Sequence, residues 1–416
     1  MLKTFRWWRG VLSWKVRLQD FMRVAHIITR LIIGGAQENT ILNCEDLMSD
    51  YGDEVLLIVG PTSGPEGTLM DRAVRTIPTI VLPHLIRNIS PYYDIAAYRE
   101  IKYALQQFRP DVVHTHSAKA GILGRVAAWN LGVRVVVHGV HGAPFYPFQH
   151  FAVREFYKYC ERWAARRCHV MISVADAMTD LMVTGKVAPK EKFVTVYSGM
   201  EVEPFLESEK FRISVRKQFG FSENHLVVGK IARLFRLKGH EFVIAAAKSI
   251  IEQIPNIRFL FVGDGILTEQ YRNKIKQLGL DNYFVFSGLV PPDRIPAMIS
   301  AMDIVVHTSL REGLARVLPQ SLLAGKPVVS YDIDGAREVV LNGKTGFLLP
   351  PQSVTELTDA VVRLAENPIL RNEMGQTGRQ LFSQQFDHHY MTRQIRKIYQ
   401  TVSEFGGTTI TPVIKK

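Results

Sequence analysis

The chain has 416 residues, enough for two or three domains. With 47% hydrophobic and 22% charged residues it has the composition of a globular protein that buries real cores. A net charge of +12 suits an anionic partner such as a nucleotide diphosphate or an anionic membrane surface; no nucleic-acid module is recognisable, so nucleic acid is not an expected partner. Cys44, Cys160 and Cys168 form no C-x-x-C pair, which argues against a zinc knuckle or disulfide framework and fits a reducing cytoplasm. With no run of about 18 apolar residues and no apolar stretch ahead of a small-residue cleavage site, neither a spanning helix nor a secretory signal is expected.

Residues 1–21 place Trp7, Val11, Trp14, Leu18 and Phe21 near one helical face and Lys3, Arg6, Arg9 and Arg17 mostly on the other. Two readings stand: a basic amphipathic helix at the membrane interface, or a mis-assigned start ahead of Met22. From there strand-like and helix-like runs alternate, which predicts parallel sheets covered by helices. Strands are expected at 24–29, 55–59, 79–82, 112–115, 133–138 and 170–173, with helices near 36–49, 94–108, 118–131 and 151–167. The pattern restarts with strands at 226–231, 258–262, 283–287, 304–307 and 328–330, and helices near 240–254, 268–278, 294–301 and 316–323. The economical architecture is α/β: two Rossmann-like, doubly wound domains facing across a cleft. The expected divisions are 1–21, 22–200, 201–385 and 386–416, the last being a helix that packs back on the first domain and then a frayed tail.

Four groups of residues carry chemistry. Gly34-Gly35 follows the first strand and precedes a helix, where backbone amides can approach a phosphate. Arg233 and Lys238 flank a loop after the strand at 226–231, placing two cations at a strand's carboxyl end. The segment 303–350, DIVVHTSLREGLARVLPQSLLAGKPVVSYDIDGAREVVLNGKTGFLLP, runs from a buried strand into a loop bearing Arg311 and Glu312; open α/β sheets bind ligands at such places. Finally, His114-Thr115-His116 and His138-Gly139-Val140-His141 close neighbouring strands, and such pairs can ligate zinc. Asp332-Ile333-Asp334, Gly343-Lys344-Thr345 and Gly263-Asp264-Gly265 look like fragments of metal- or phosphate-binding motifs, but each lacks its required context and is read as a turn or loop.

The loop Glu312-Gly313-Leu314-Ala315 with Gln320 resembles the E-G-F-G-L-x-x-x-E signature of the retaining glycosyltransferases of family four. Ala232-Arg233-Leu234 through Lys238-Gly239 resembles their G-R-L-x-x-x-K-G segment, and HTHSAKAGILGRVAAWNLGV followed by VVVHGVHG is a further match in the first half. The resemblance covers residues 22 to about 403 and implies the two-Rossmann architecture called GT-B. It implies that Arg233 and Lys238 clamp the donor diphosphate, Glu312 and His141 meet the transferred sugar, and the amides of Gly34, Gly35, Gly313, Leu314 and Ala315 face phosphates. Gln320 stands where the family has a ribose-binding Glu, a change costing on the order of 1 kcal/mol at one hydrogen bond. Glu338 matches a Glu expected to organise the loop near the nucleotide.

The implied function is retaining, metal-independent transfer of a hexose-type sugar from a nucleotide-diphosphate donor, with no cofactor and no metal. The implied acceptor is a glycan or lipid-linked hydroxyl in envelope polysaccharide synthesis, at the inner membrane face. Arg125, Lys119 and Phe145-Tyr146-Pro147-Phe148 are the expected acceptor contacts. The alternatives are a nucleotide-sugar epimerase on the same fold, a non-catalytic relative disabled at Gln320, and a zinc hydrolase built on His114, His116, His138 and His141.

Overall fold

The computed structural model describes residues 21–62, 67–146 and 148–405. Residues 1–20 of the amphipathic extension, Pro147 and the tail 406–416 lie outside the described residues.

Thirteen strands are described: β1 Arg23–Ile28, β2 Glu54–Val59, β3 Thr79–Val81, β4 Val112–His116, β5 Val135–Val140, β6 Val170–Ser173, β7 Phe193–Thr195, β8 Leu226–Ile231, β9 Ile257–Val262, β10 Phe284–Phe286, β11 Ile304–His307, β12 Val328–Tyr331 and β13 Gly346–Leu349. They form two sheets, ordered β3-β2-β1-β4-β5-β6-β7 and β10-β9-β8-β11-β12-β13. Neighbouring strands pair in parallel, for example Val24 with Val112 and Val305 with Val328. Central strands such as β5 (VVVHGV) are buried along their whole length, as expected where helices cover both faces of a parallel sheet. In each sheet the chain order reverses beside the first strand, between β1 and β4 and between β8 and β11. Such switch points open crevices at the carboxyl ends of strands.

Each sheet has an apolar cluster on either face. One cluster of the first sheet joins Val24, Ile28 and Leu57 to Met391, Ile395, Ile398 and Tyr399. The last helix, His388–Phe405, therefore returns to the first domain, where Arg396 pairs with Asp53 at 3.0 Å and Asn43 donates to Thr392 at 3.0 Å. No helix among the described residues is long and apolar enough to cross a membrane.

The strand expected at 133–138 runs instead over Val135–Val140. Leu131 to Val133 belong to the turn that ends the preceding helix, with the Val133 amide bonded to the Ala128 carbonyl. Pattern reading missed β7 and β13, both short edge strands, and the helix Asp176–Thr184.

Candidate active site

The second domain contributes a charged cluster at the carboxyl ends of β8 and β11. Glu312 lies in the loop after β11, where its Oε1 is 2.5 Å from Lys238 Nζ and 3.6 Å from His307 Nε2. Burial alone would raise its pKa, but the charge of Lys238, with His307 beside it, outweighs burial and holds the carboxyl well below the usual carboxylate range. Its backbone amide donates to Asp334 Oδ2 at 2.6 Å. Asp334, in the 3-10 turn Asp334–Glu338, and Leu237, beside Lys238, both take left-handed conformations, with φ of 45° and 67°. Such strain in non-glycine residues gathers at functional sites. Gly239 has φ 71°, and a methyl group there would sit 1.8 Å from the Thr308 carbonyl oxygen. Only glycine lets the Lys238 turn press this closely on the Glu312 loop. Beneath the turn, buried Lys230 donates to Thr308 Oγ1 at 3.0 Å, and Thr308 donates to the Gly239 carbonyl at 2.6 Å. Burial and the charge of Lys238 push the Lys230 amine down to about 7.

The exposed Arg233 follows β8, its guanidinium 5.3 Å from the Phe235 ring. Gln320 lies on the helix Val317–Leu323, half-buried, and its side-chain amide has no hydrogen-bond partner among the described residues. A cavity of about 340 Å³ opens beside the ends of β9 and β10, lined by Gly263, Asp264, Gly265, Thr268 and Gly288. The Gly263-Asp264-Gly265 turn, dismissed as a motif fragment in the sequence, thus lines a cavity.

In the first domain, Gly34 and Gly35 open the helix Gly35–Tyr51. Their surroundings differ from a bare phosphate cradle. A methyl group at Gly35 would lie 2.6 Å from Arg316 Cδ, and Arg316 also reaches Glu38 at 3.0 Å. His141 follows β5. Its Nε2 is 3.0 Å from His116 Nδ1, and His116 Nε2 is 3.0 Å from His26 Nδ1. Beside them His114 Nδ1 is 2.6 Å from the Tyr399 hydroxyl. Nitrogens of His26, His114 and His116 lie within 4.8 Å of one another, a spacing that a metal ion could span. Both nitrogens of His116 are already engaged in hydrogen bonds, and His138 is held by Thr115 at 3.0 Å instead of joining the group.

The two halves touch. A methyl group at Gly313 would be 2.3 Å from the His141 carbonyl oxygen. Arg311 crosses to the first domain, donating to the Ala143 carbonyl at 2.5 Å and stacking 3.9 Å over the Tyr146 ring. Glu338, expected to organise the loop near the nucleotide, ends the 3-10 turn Asp334–Glu338 and reaches across to the first domain. Its carboxylate accepts from the Asp176 and Ala177 amides, both at 2.8 Å, and from Tyr197 Oη at 2.9 Å. It thereby caps the helix Asp176–Thr184 of the first domain.

Next to Arg311 lies a cavity of about 590 Å³ that includes Arg30, Arg87, Lys119, Tyr146, Phe156 and Tyr157 in its walls. Lys119 lines it. Arg125 does not: it is fully buried, paired with Glu161 at 2.8 Å. Phe145 is also a core residue.

This arrangement, two facing parallel sheets with a carboxylate–lysine pair and a cavity at their cleft, is that of a GT-B glycosyltransferase. The solved structure of Anabaena Alr3699/HepE in complex with UDP shares the fold with a TM-score of 0.77, at 24% identity over 91% of this chain and 100% of that one. The chain belongs to the family 4-type glycosyltransferases: residues 35–199 match the glycosyl transferase 4-like domain and residues 211–381 match glycosyl transferases group 1. Among relatives, the UDP-Gal:alpha-D-GlcNAc-diphosphoundecaprenol alpha-1,3-galactosyltransferase of Escherichia coli is 29% identical, over 84% of this chain and 89% of its own length. The capsular polysaccharide biosynthesis glycosyltransferase CapM of Staphylococcus aureus is 23% identical, over 75% of this chain and 80% of its own length.

Of the residues singled out in the sequence, Glu312 and Lys238 meet directly, and His141 and Gly313 meet across the cleft. Sequence reading missed Asp334, Lys230, His307 and Arg316. Asp334 carried a usable signal, an acidic residue ahead of Gly335 in a turn; buried Lys230 inside an apolar strand carried another.

Proposed function

We propose that the protein is a retaining, metal-independent hexosyltransferase that moves a sugar from a nucleoside diphosphate to a hydroxyl of a glycan or lipid-linked acceptor. The observation that carries this reading is the Glu312–Lys238 pair facing His141 across the cleft. The nucleoside would lie in the cavity beside Gly263 and Gly288, with the diphosphate between Arg233, Lys238 and the amides of Gly313 to Arg316. The bond from the anomeric carbon to the β-phosphate oxygen breaks as the acceptor oxygen attacks from the same face, and the acceptor proton passes to a phosphate oxygen. Arg233 and Lys238 stabilise the departing diphosphate, the role a metal would otherwise fill. Glu312, held ionised, orients the sugar hydroxyls and offsets positive charge developing at the anomeric centre.

The cavity beside Arg311 is the proposed acceptor site. Four cations (Arg30, Arg87, Lys119, Arg311) against two carboxylates (Asp94, Glu161) leave it net positive, and Ile89, Ile122, Tyr146 and Phe156 supply apolar wall. That combination suits a phosphate-bearing, lipid-linked acceptor, the kind named in the Escherichia coli relative. The helix Phe151–Ala165 runs beside it with Phe151, Phe156, Tyr159 and Trp163 exposed and Arg154 and Arg162 interspersed, a composition suited to an anionic membrane surface on the cytoplasmic side.

The test is transfer from UDP-hexoses to polyprenyl-diphosphate sugars in EDTA, with the product's anomeric configuration read by NMR. Acceptor-dependent release of nucleoside diphosphate with retained configuration is expected. Release without acceptor would indicate an epimerase, and an inverted product would overturn the retaining mechanism. Glu312→Ala is expected to lower kcat roughly 10²–10³-fold with modest loss of donor affinity; near-normal turnover would remove Glu312 from the site.

A further inference from the structure

Behind His141, three histidines lie in one hydrogen-bonded line through the core of the first sheet: His141, then His116 at the end of β4, then His26 in the middle of β1. His26 and His116 are fully buried. Gly139, inside β5, makes the line sterically possible. A methyl group there would lie 3.0 Å from His116 Nδ1, 3.1 Å from His141 Nε2 and 3.2 Å from His114 Nε2. A glycine inside a strand weakens it and marks a place where another group must approach closely.

We infer that His116 and His26 are positioning residues that fix which nitrogen of His141 carries its proton, so that His141 presents an N–H donor at Nδ1 to the donor sugar.

Burial pushes His26 down to about 3, and burial with the charge of Arg316 pushes His141 down to about 4; His116 is lowered by burial and by its histidine neighbours. All three rings are therefore neutral near pH 7, each with one N–H and one bare nitrogen. Two hydrogen bonds in line then allow only two proton arrangements. In one, His26 Nδ1–H donates to His116 Nε2 and His116 Nδ1–H donates to His141 Nε2, which leaves His141 protonated at Nδ1. In the other every proton moves, His141 donates inward from Nε2, and its Nδ1 becomes a bare acceptor. The far end decides between them. His26 Nε2 is buried with no partner. In the first arrangement it is a bare acceptor; in the second it is an orphaned N–H. A buried unpaired donor is the rarer and costlier of the two, so the first arrangement prevails. Nδ1 of His141 makes no hydrogen bond among the described residues and is not one of the sealed, unpartnered nitrogens, so it is free to meet a sugar oxygen. The second domain approaches the same residue: Gly313 lies against the His141 carbonyl, one residue from Glu312.

The inference rests on the proposed contact between His141 and the donor sugar, and the two can fail separately. The direct test is histidine-labelled ¹⁵N NMR of the whole protein: His141 is expected as the Nδ1–H tautomer, and an Nε2–H tautomer or an even mixture overturns the relay. Activity supplies the second test. His116→Asn keeps an N–H near the Nδ1 position and is expected to retain kcat within about three-fold, whereas His116→Leu should lose roughly 10–100-fold in kcat with little change in donor KM. Equal losses in both variants, or none in His116→Leu, would overturn the positioning role. His141→Ala isolates the parent reading: full activity there would remove His141 from the donor site whatever its tautomer.

Discussion

At the scale of single residues, Glu312 is held by three neighbours of different kinds. Lys238 pairs with its carboxylate, His307 lies 3.6 Å from the same oxygen, and Asp334 accepts from its backbone amide. The position most at odds with the family signature is Gln320, whose side-chain amide makes no hydrogen bond among the described residues. An amide there can still accept from one ribose hydroxyl and donate to another, so Gln320→Glu should leave transfer intact and tighten nucleoside diphosphate binding by about 1 kcal/mol at most. Calorimetric titration of the variant checks this, and a collapse of activity would give Gln320 a role beyond the ribose. Arg233, Lys238, Glu312 and Gln320 were singled out because the segments that carry them resemble the family's motifs. His26 was not, because a single histidine in the apolar run VAHIIT reads as a core residue until β1 and β4 are seen side by side.

At the scale of elements, the sequence foretold the alternation of strands and helices where runs were long and apolar, and failed where an element depends on a distant partner. Helix Asp176–Thr184 has no local side-chain cap; its amides are satisfied by Glu338, 162 positions away. Edge strands β7 and β13, three and four residues long, offer too few positions for a period-two pattern to register. The last helix carries its own ionic anchor. His388 Nδ1 lies 2.8 Å from the buried carboxylate of Asp46. Burial opposes the charged ring, but the hydrogen bond and charge of Asp46 outweigh it and raise its pKa. A raised folded-state pKa stabilises fully below the unfolded value of about 6.5 and is lost as pH rises through the folded value. Denaturant unfolding between pH 6 and 8.5 should therefore show a loss of stability in the wild type that His388→Gln lacks; parallel pH profiles would contradict the pairing.

At the scale of the molecule, the contacts between the two domains among the described residues include three bridges beside the cleft: Arg311 to Ala143, Arg316 to Glu38, and Glu338 to the Asp176 helix. Glu338 ends the same 3-10 turn that Asp334 begins, so docking on the first domain and support of the Glu312 loop share one short segment. Under the proposed function, any closing of the cleft would act on the site through this shared segment. Glu338→Ala should cost about 1–2 kcal/mol of interdomain stability, the scale of a lost helix cap. Small-angle scattering should then show a larger radius of gyration, with a raised donor KM; an unchanged radius would mean the bridge does not hold the domains. The sequence located the cleft through its motifs but not these bridges, since each joins residues more than 160 positions apart.

The most direct test of the central claim is thermal unfolding with UDP, GDP, ADP or CMP, each with and without EDTA. A nucleoside diphosphate bound by Arg233 and Lys238 should raise the melting temperature equally in both conditions and do so less in Lys238→Ala. No shift with any nucleotide, or a shift that EDTA abolishes, would contradict a metal-independent donor site.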